Sequence, residues 1–97
     1  MGVLVINSAT SNMAGTNFPV SEYYKDSIVD ALTISRVGGW WTCVLLLEEP
    51  SNKKKFLCIY RWQLVGGEWK TRSKFKVNSV KDVEKLSEIL LNLKIRM

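Results

Sequence analysis

Ninety-seven residues carrying a formal net charge of +5 and no histidine make one small domain. A chain of this size buries only about two-thirds of the surface its unfolded form exposes, so a second copy would add burial that it lacks. The missing imidazole removes the commonest general base and metal ligand. The two cysteines lack the spacing of a zinc site, and Gly38-Gly39 and Gly66-Gly67 are isolated pairs outside any phosphate-binding loop, so catalysis, a metal and a cofactor are not expected.

In chain order, Val3-Leu4-Val5-Ile6 is apolar but too short for a secretory leader, and no run is long enough to span a bilayer. An intracellular, cytoplasmic location is expected. Residues 7–17 are polar and aperiodic, so residues 1–17 read as a flexible or edge segment ahead of a single domain over 18–97. Ser21 suits a helix N-cap, and Tyr24, Ile28, Ala31 and Leu32 recur at helical spacing, which predicts an N-terminal helix over about 21 to 34. Ser35 to Gly39 then turns the chain into the sheet.

Trp40 to Glu48 is the most apolar run, bounded by glycines and Pro50, and reads as a central strand covered on both faces. Cys43 here and Cys58 in the next strand read as reduced core residues. The turn at Pro50-Ser51-Asn52 leads to a cationic tip at Lys53, Lys54 and Lys55. Residues 55–77 then form a hairpin about Gly66-Gly67, where two glycines supply the positive φ of a two-residue turn.

A regular hairpin with that turn pairs Leu64 with Trp69, Tyr60 with Ser73 and Phe56 with Val77. Phe56, Cys58, Tyr60, Trp62, Leu64, Trp69, Phe75 and Val77 would share a core face, joined by Trp41, Cys43, Leu45 and Leu47 if Glu48 pairs with Lys55. The opposite face would carry Arg61, Lys70, Arg72, Lys74 and Lys76, with Arg61 about opposite Arg72. It divides into an aromatic and cationic end (Trp40, Thr42, Arg61, Gln63, Lys70, Arg72) and an apolar end (Val44, Leu46, Leu57, Ile59) that needs a cover, to be supplied by the N-terminal segment, the first helix or a second subunit.

Ser79 and Asp82 open a capped C-terminal helix whose stripe of Val80, Val83, Leu86, Ile89, Leu90 and Leu93 packs on the sheet. Leu91 and Ile95 fall outside the stripe, at a fraying end, against the N-terminal helix or in a homodimer seam. The fold class expected is α+β, a three- to four-stranded antiparallel sheet flanked by an N-terminal and a C-terminal helix.

Eight of the fourteen cations lie between Lys53 and Lys76, against one anion, Glu68. Like charges crowded on adjacent strands destabilise one another unless a polyanion offsets them. Cations follow a phosphate backbone while flat rings accept unstacked bases, and all four tryptophans, Trp40, Trp41, Trp62 and Trp69, lie in or beside this sheet. The candidate nucleic-acid contacts are Arg61, Lys70, Arg72, Lys74 and Lys76, with Lys53 and Lys54 as a fringe and Trp40, Trp62 or Trp69 as stacking rings. Burial competes with stacking for each tryptophan, and Trp40 is preferred as the exposed one.

Trp41-Thr42, then Lys55-Phe56 with Tyr60-Arg61-Trp62, then Gly67-Glu68-Trp69-Lys70 leading to Arg72, Lys74-Phe75 and a capped helix resembles the archaeal ThermoDBP-related single-stranded DNA-binding proteins over about residues 38–93. The order of elements is also similar to that of the coactivator positive cofactor four. The resemblance implies an antiparallel sheet with flanking helices, an aromatic and basic cleft, and dimerisation. The expected function is binding of single-stranded DNA or RNA with little sequence preference, as a homodimer. The alternative is a non-enzymatic accessory or viral factor that binds another protein through the apolar patch.

Overall fold

The computed structural model describes residues 18–97. A single turn of 3-10 helix at Glu22–Tyr24 precedes β1 (Ile28–Val37), β2 (Trp40–Glu48), β3 (Lys55–Val65), β4 (Glu68–Val77) and the helix α1 (Val80–Lys94). The strands form one antiparallel sheet in chain order, β1-β2-β3-β4. The N-terminal half of the sequence-based expectation is therefore corrected: residues 21–34 are not a helix. Ile28, Val29, Thr33, Ile34 and Val37 are β-branched residues that suit a pleated strand, and Gly38 and Gly39 adopt φ of 61° and 79°, which lets β1 fold directly back on β2. The Gly66-Gly67 turn matches it with φ of 60° and 82°. Residues 1–17, expected as a flexible or edge segment, lie outside the described residues.

The expected pairings of Glu48 with Lys55 and of Leu64 with Trp69 are both present. Beyond Arg61 the β3–β4 ladder departs from the regular hairpin. Trp62 pairs with Thr71 while Arg61 pairs with Ser73, leaving Arg72 as an extra residue in a bulge. Tyr60 accordingly faces Lys74, Cys58 faces Lys76, Ile59 faces Phe75 and Leu57 faces Val77. Because side chains alternate with period two, this one-residue offset exchanges the faces of everything downstream on β4. Phe75 and Val77 leave the expected core face for the apolar end of the opposite one, and Lys74 and Lys76 make the reverse move.

The exchange has a physical rationale. In the regular register Lys74 and Lys76 would stand against Ile59 and Leu57, and Arg72 against Arg61. The bulged register gives Ile59 and Leu57 apolar partners and sets Ser73 opposite Arg61, which removes a directly opposed like-charge pair.

The core lies on one face of the sheet. Trp41, Cys43, Leu45, Leu47, Phe56, Cys58, Tyr60 and Trp62 are all buried there with Ala31, and Phe18, Val20, Tyr24, Ile28 and Trp69 pack against them. Residues 18–24 strap this face. The Trp62 indole N–H donates to the Pro19 carbonyl at 3.0 Å, Phe18 lies 5.6 Å from the Trp41 ring centre, and the hydroxyls of Tyr23 and Tyr24 both donate to the Glu49 carboxylate, at 2.6 and 3.1 Å. Both cysteines are free thiols, and burial pushes both thiols up from their ordinary pKa.

The helix α1 starts as its residues dictate: Ser79 Oγ accepts the Asp82 N–H at 3.1 Å, satisfying one of the donors that a helix start leaves open. It lies on the face opposite the core. Val83, Leu86 and Leu90 share a cavity of about 210 Å³ with Val44, Leu57, Ile59 and Val77. The apolar end is thus covered by this C-terminal helix, which is not among the covers expected for it, and the expected first helix is strand β1 instead. The fit is open, since no residue of α1 is buried.

Candidate nucleic-acid interface

The face opposite the core carries the aromatic and cationic end that the alternation implies. Trp40 is half-buried at the start of β2, and Arg61 reaches it diagonally from β3, setting its guanidinium carbon 3.9 Å from the ring centre. Arg72 turns to the same face, where its Nε donates to Gln63 Oε1 at 2.9 Å. Lys70 lies beside Gln63 in the ladder, and its ammonium is 3.1 Å from Glu68, the one anion of the hairpin. Lys70 is therefore partly neutralised while Arg61 and Arg72 keep their charge outward. A bulge is a common device for re-aiming a side chain, and here it aims Arg72.

The other expected contacts are placed elsewhere. Lys74 and Lys76 stand on the rim of the core face, with the Lys76 ammonium 4.4 Å from the Phe56 ring centre. Lys53 and Lys54 occupy the β2–β3 turn, about 27 Å from Trp40 along β2 at the usual strand rise. Lys53 and Lys55 approach the Glu48 carboxylate there at 4.0 and 3.9 Å. Trp62 is completely buried and has no ring face for a base, which corrects its place among the stacking candidates. Trp69 is half-buried on the core side, 5.5 Å from Trp41.

One cation escaped the sequence reading. Arg36 pairs with Trp41 across β1 and β2 and lays its guanidinium 3.9 Å from that ring centre and 5.2 Å from the Trp69 ring centre. Its signal was the Gly38-Gly39 pair: a two-residue hairpin there puts Arg36 opposite Trp41, whereas a helix ending near residue 34 leaves it in a loop.

A cavity of about 470 Å³ lies between the start of α1 and the far end of the sheet, lined by Leu46, Leu57, Val77, Val80 and Val83 among others. It holds no cluster of titratable groups. Among the described residues no set of His, Cys, Asp or Glu side chains is grouped to hold a metal, and no helix is long and apolar enough to cross a membrane. Comparison with family models, curated proteins and solved structures returned no match.

Proposed function

We propose that the protein binds single-stranded nucleic acid, with little sequence preference, on the sheet face opposite its core. The observation that carries this reading is the Arg61-on-Trp40 stack, flanked by Arg72 and Lys70 at one end of an otherwise apolar face. A guanidinium offers a flat surface on which a base stacks and an edge of N–H donors for a phosphate. Nothing in that arrangement selects one base, because every base has a π-face. The apolar patch favoured by the protein-binding alternative is partly taken up by α1, which leaves less of it for a foreign partner.

The partner of α1 in this reading is a second copy of the chain. Leu90, Leu91, Leu93 and Ile95 are each at least half exposed, and Phe75 on the neighbouring strand is 60% exposed. Lys81, Lys85 and Lys94 balance Asp82, Glu84 and Glu88, so two such helices meet without net repulsion, unlike two basic sheet ends. Sedimentation or light scattering should give twice the chain mass, and Leu91→Glu should give the monomer; a monomeric wild type would remove the homodimer from the proposal.

Titration of tryptophan emission with oligothymidine at several salt concentrations tests the binding. Affinity should fall with salt at a log-log slope of about 0.7 per phosphate neutralised. Absence of any complex at low salt would end this reading.

A further inference from the structure

We infer that the bound strand does not stay on one face but crosses the glycine rim of the sheet, to be held on the core side by Arg36 and Trp69. This rests on the proposed binding of single-stranded nucleic acid. Trp40 and Trp41 are consecutive on β2, so their rings project to opposite faces. Each has an arginine over it at the same distance, Arg61 on Trp40 and Arg36 on Trp41, both 3.9 Å from guanidinium carbon to ring centre. The two stacks stand back to back at one end of the sheet.

That end is formed by two adjacent glycine turns. The β1–β2 and β3–β4 hairpins close there side by side, and the Leu64 N–H donates to the Gly39 carbonyl at 2.8 Å. Gly38, Gly39, Gly66 and Gly67 present no side chains, and a methyl group built on any of them would meet nothing within 4 Å. The edge between the two faces is therefore low and open. Its anion, Glu68, is matched by Lys70.

Arg36 is exposed and supported from beneath by two rings, Trp41 and Trp69, which lie edge to face at an interplanar angle of 67°. Two aromatic supports fix the plane of the guanidinium, leaving its outer surface for a base and its edge for a phosphate. A chain leaving the Arg61 stack needs only to pass the glycines to reach this second one.

The test measures affinity for oligothymidines of about 4 to 16 nucleotides, a span that brackets the site sizes of small single-strand binding folds. Wild type, Arg36→Ala and Thr71→Glu are compared, the last placing an anion on the exposed core-side edge between Trp69 and Lys74 while leaving Arg36, Trp41 and Trp69 in place. Both variants should bind the shortest oligonucleotides as wild type does and lose roughly fivefold or more on the longest, the lower end for one lost stacking contact. Equal affinity of wild type and Thr71→Glu at every length would overturn the crossing while leaving the function intact. Failure of wild type to bind any length would overturn both. Should Arg36→Ala unfold, Thr71→Glu and the length dependence of the wild-type salt slope decide the matter; a slope that stops growing at the shortest bound length also overturns it.

Discussion

Arg61 and Trp40 are diagonal neighbours across β2 and β3, and the guanidinium carbon of one lies 3.9 Å from the ring centre of the other. At an exposed site such a pair is worth about 0.5–1 kcal/mol of stability. In the proposed function its greater consequence would be that the stack holds the arginine flat before any ligand arrives. Arg61→Ala should lower stability by no more than about 1 kcal/mol yet weaken oligonucleotide binding, and Trp40→Ala, which removes the ring that holds the guanidinium flat, should weaken it as well. Urea unfolding and fluorescence anisotropy on the same preparations check the two halves. Unchanged affinity in both variants would place the ligand on another surface.

Trp62 contrasts with Trp40, although its partner across β2 and β3 is the very next residue, Trp41. It is buried completely, lies 4.6 Å from Trp41 and 5.2 Å from Tyr60 between ring centres, and anchors the strap through Pro19. Trp62→Ala should cost about 3–5 kcal/mol, enough to leave much of a small domain unfolded. A denaturation midpoint near that of wild type would mean that the strap does not close the core as described.

The bulge at Arg72 makes Arg72 and Lys74 unequal. Arg72 stands beside Gln63 on the Trp40 face, and Lys74 stands opposite Tyr60 on the core side. With the shortest oligonucleotides that bind, Arg72→Ala should lower the salt slope by about 0.7, while Lys74→Ala leaves it unchanged. Equal effects would show that the two faces are not engaged separately.

Two tyrosine environments contribute to the pH dependence of stability. Burial pushes the Tyr60 hydroxyl up to about 12, so the folded state keeps a proton that the unfolded chain releases near 10. Its contribution is full below pH 10 and is lost as the pH rises through the folded value, and alkaline unfolding should begin in that interval and move in Tyr60→Phe. Glu49 behaves oppositely: the Tyr23 hydroxyl that donates to it is the largest cause holding its carboxyl below the ordinary 4.5. That contribution is present above the unfolded value and fades as the pH falls through the folded one. Tyr23→Phe should flatten the acid limb of a stability–pH curve; an unaltered limb would remove Glu49 from the account.

Gly67 has φ of 82° and open space where a side chain would sit. Gly67→Ala should therefore cost only the backbone penalty of the left-handed region, about 1–2 kcal/mol, and Gly67→Asn less, because Asn enters that region more readily. Thermal unfolding distinguishes this from a steric effect, in which the larger Asn would be the worse of the two.

The sequence by itself determined what depends on neighbours along the chain. Gly66-Gly67 dictated a tight hairpin, the alternation from Trp40 to Val65 assigned the core side of β2 and β3, and Ser79 announced the start of α1. Each is a matter of local φ preference, period-two alternation or a cap bond. Only the tertiary structure decided the rest. Ile28 to Val37 carries apolar residues compatible with either a helix or a strand, and its pairing with β2 selects the strand and brings Arg36 onto Trp41. The bulge at Arg72 is likewise invisible in the charge pattern, since it follows from matching Phe75 and Val77 to Ile59, Leu57 and the helix above them. Those are contacts between segments far apart in the chain, and the energy that chooses them appears only when the sheet is assembled.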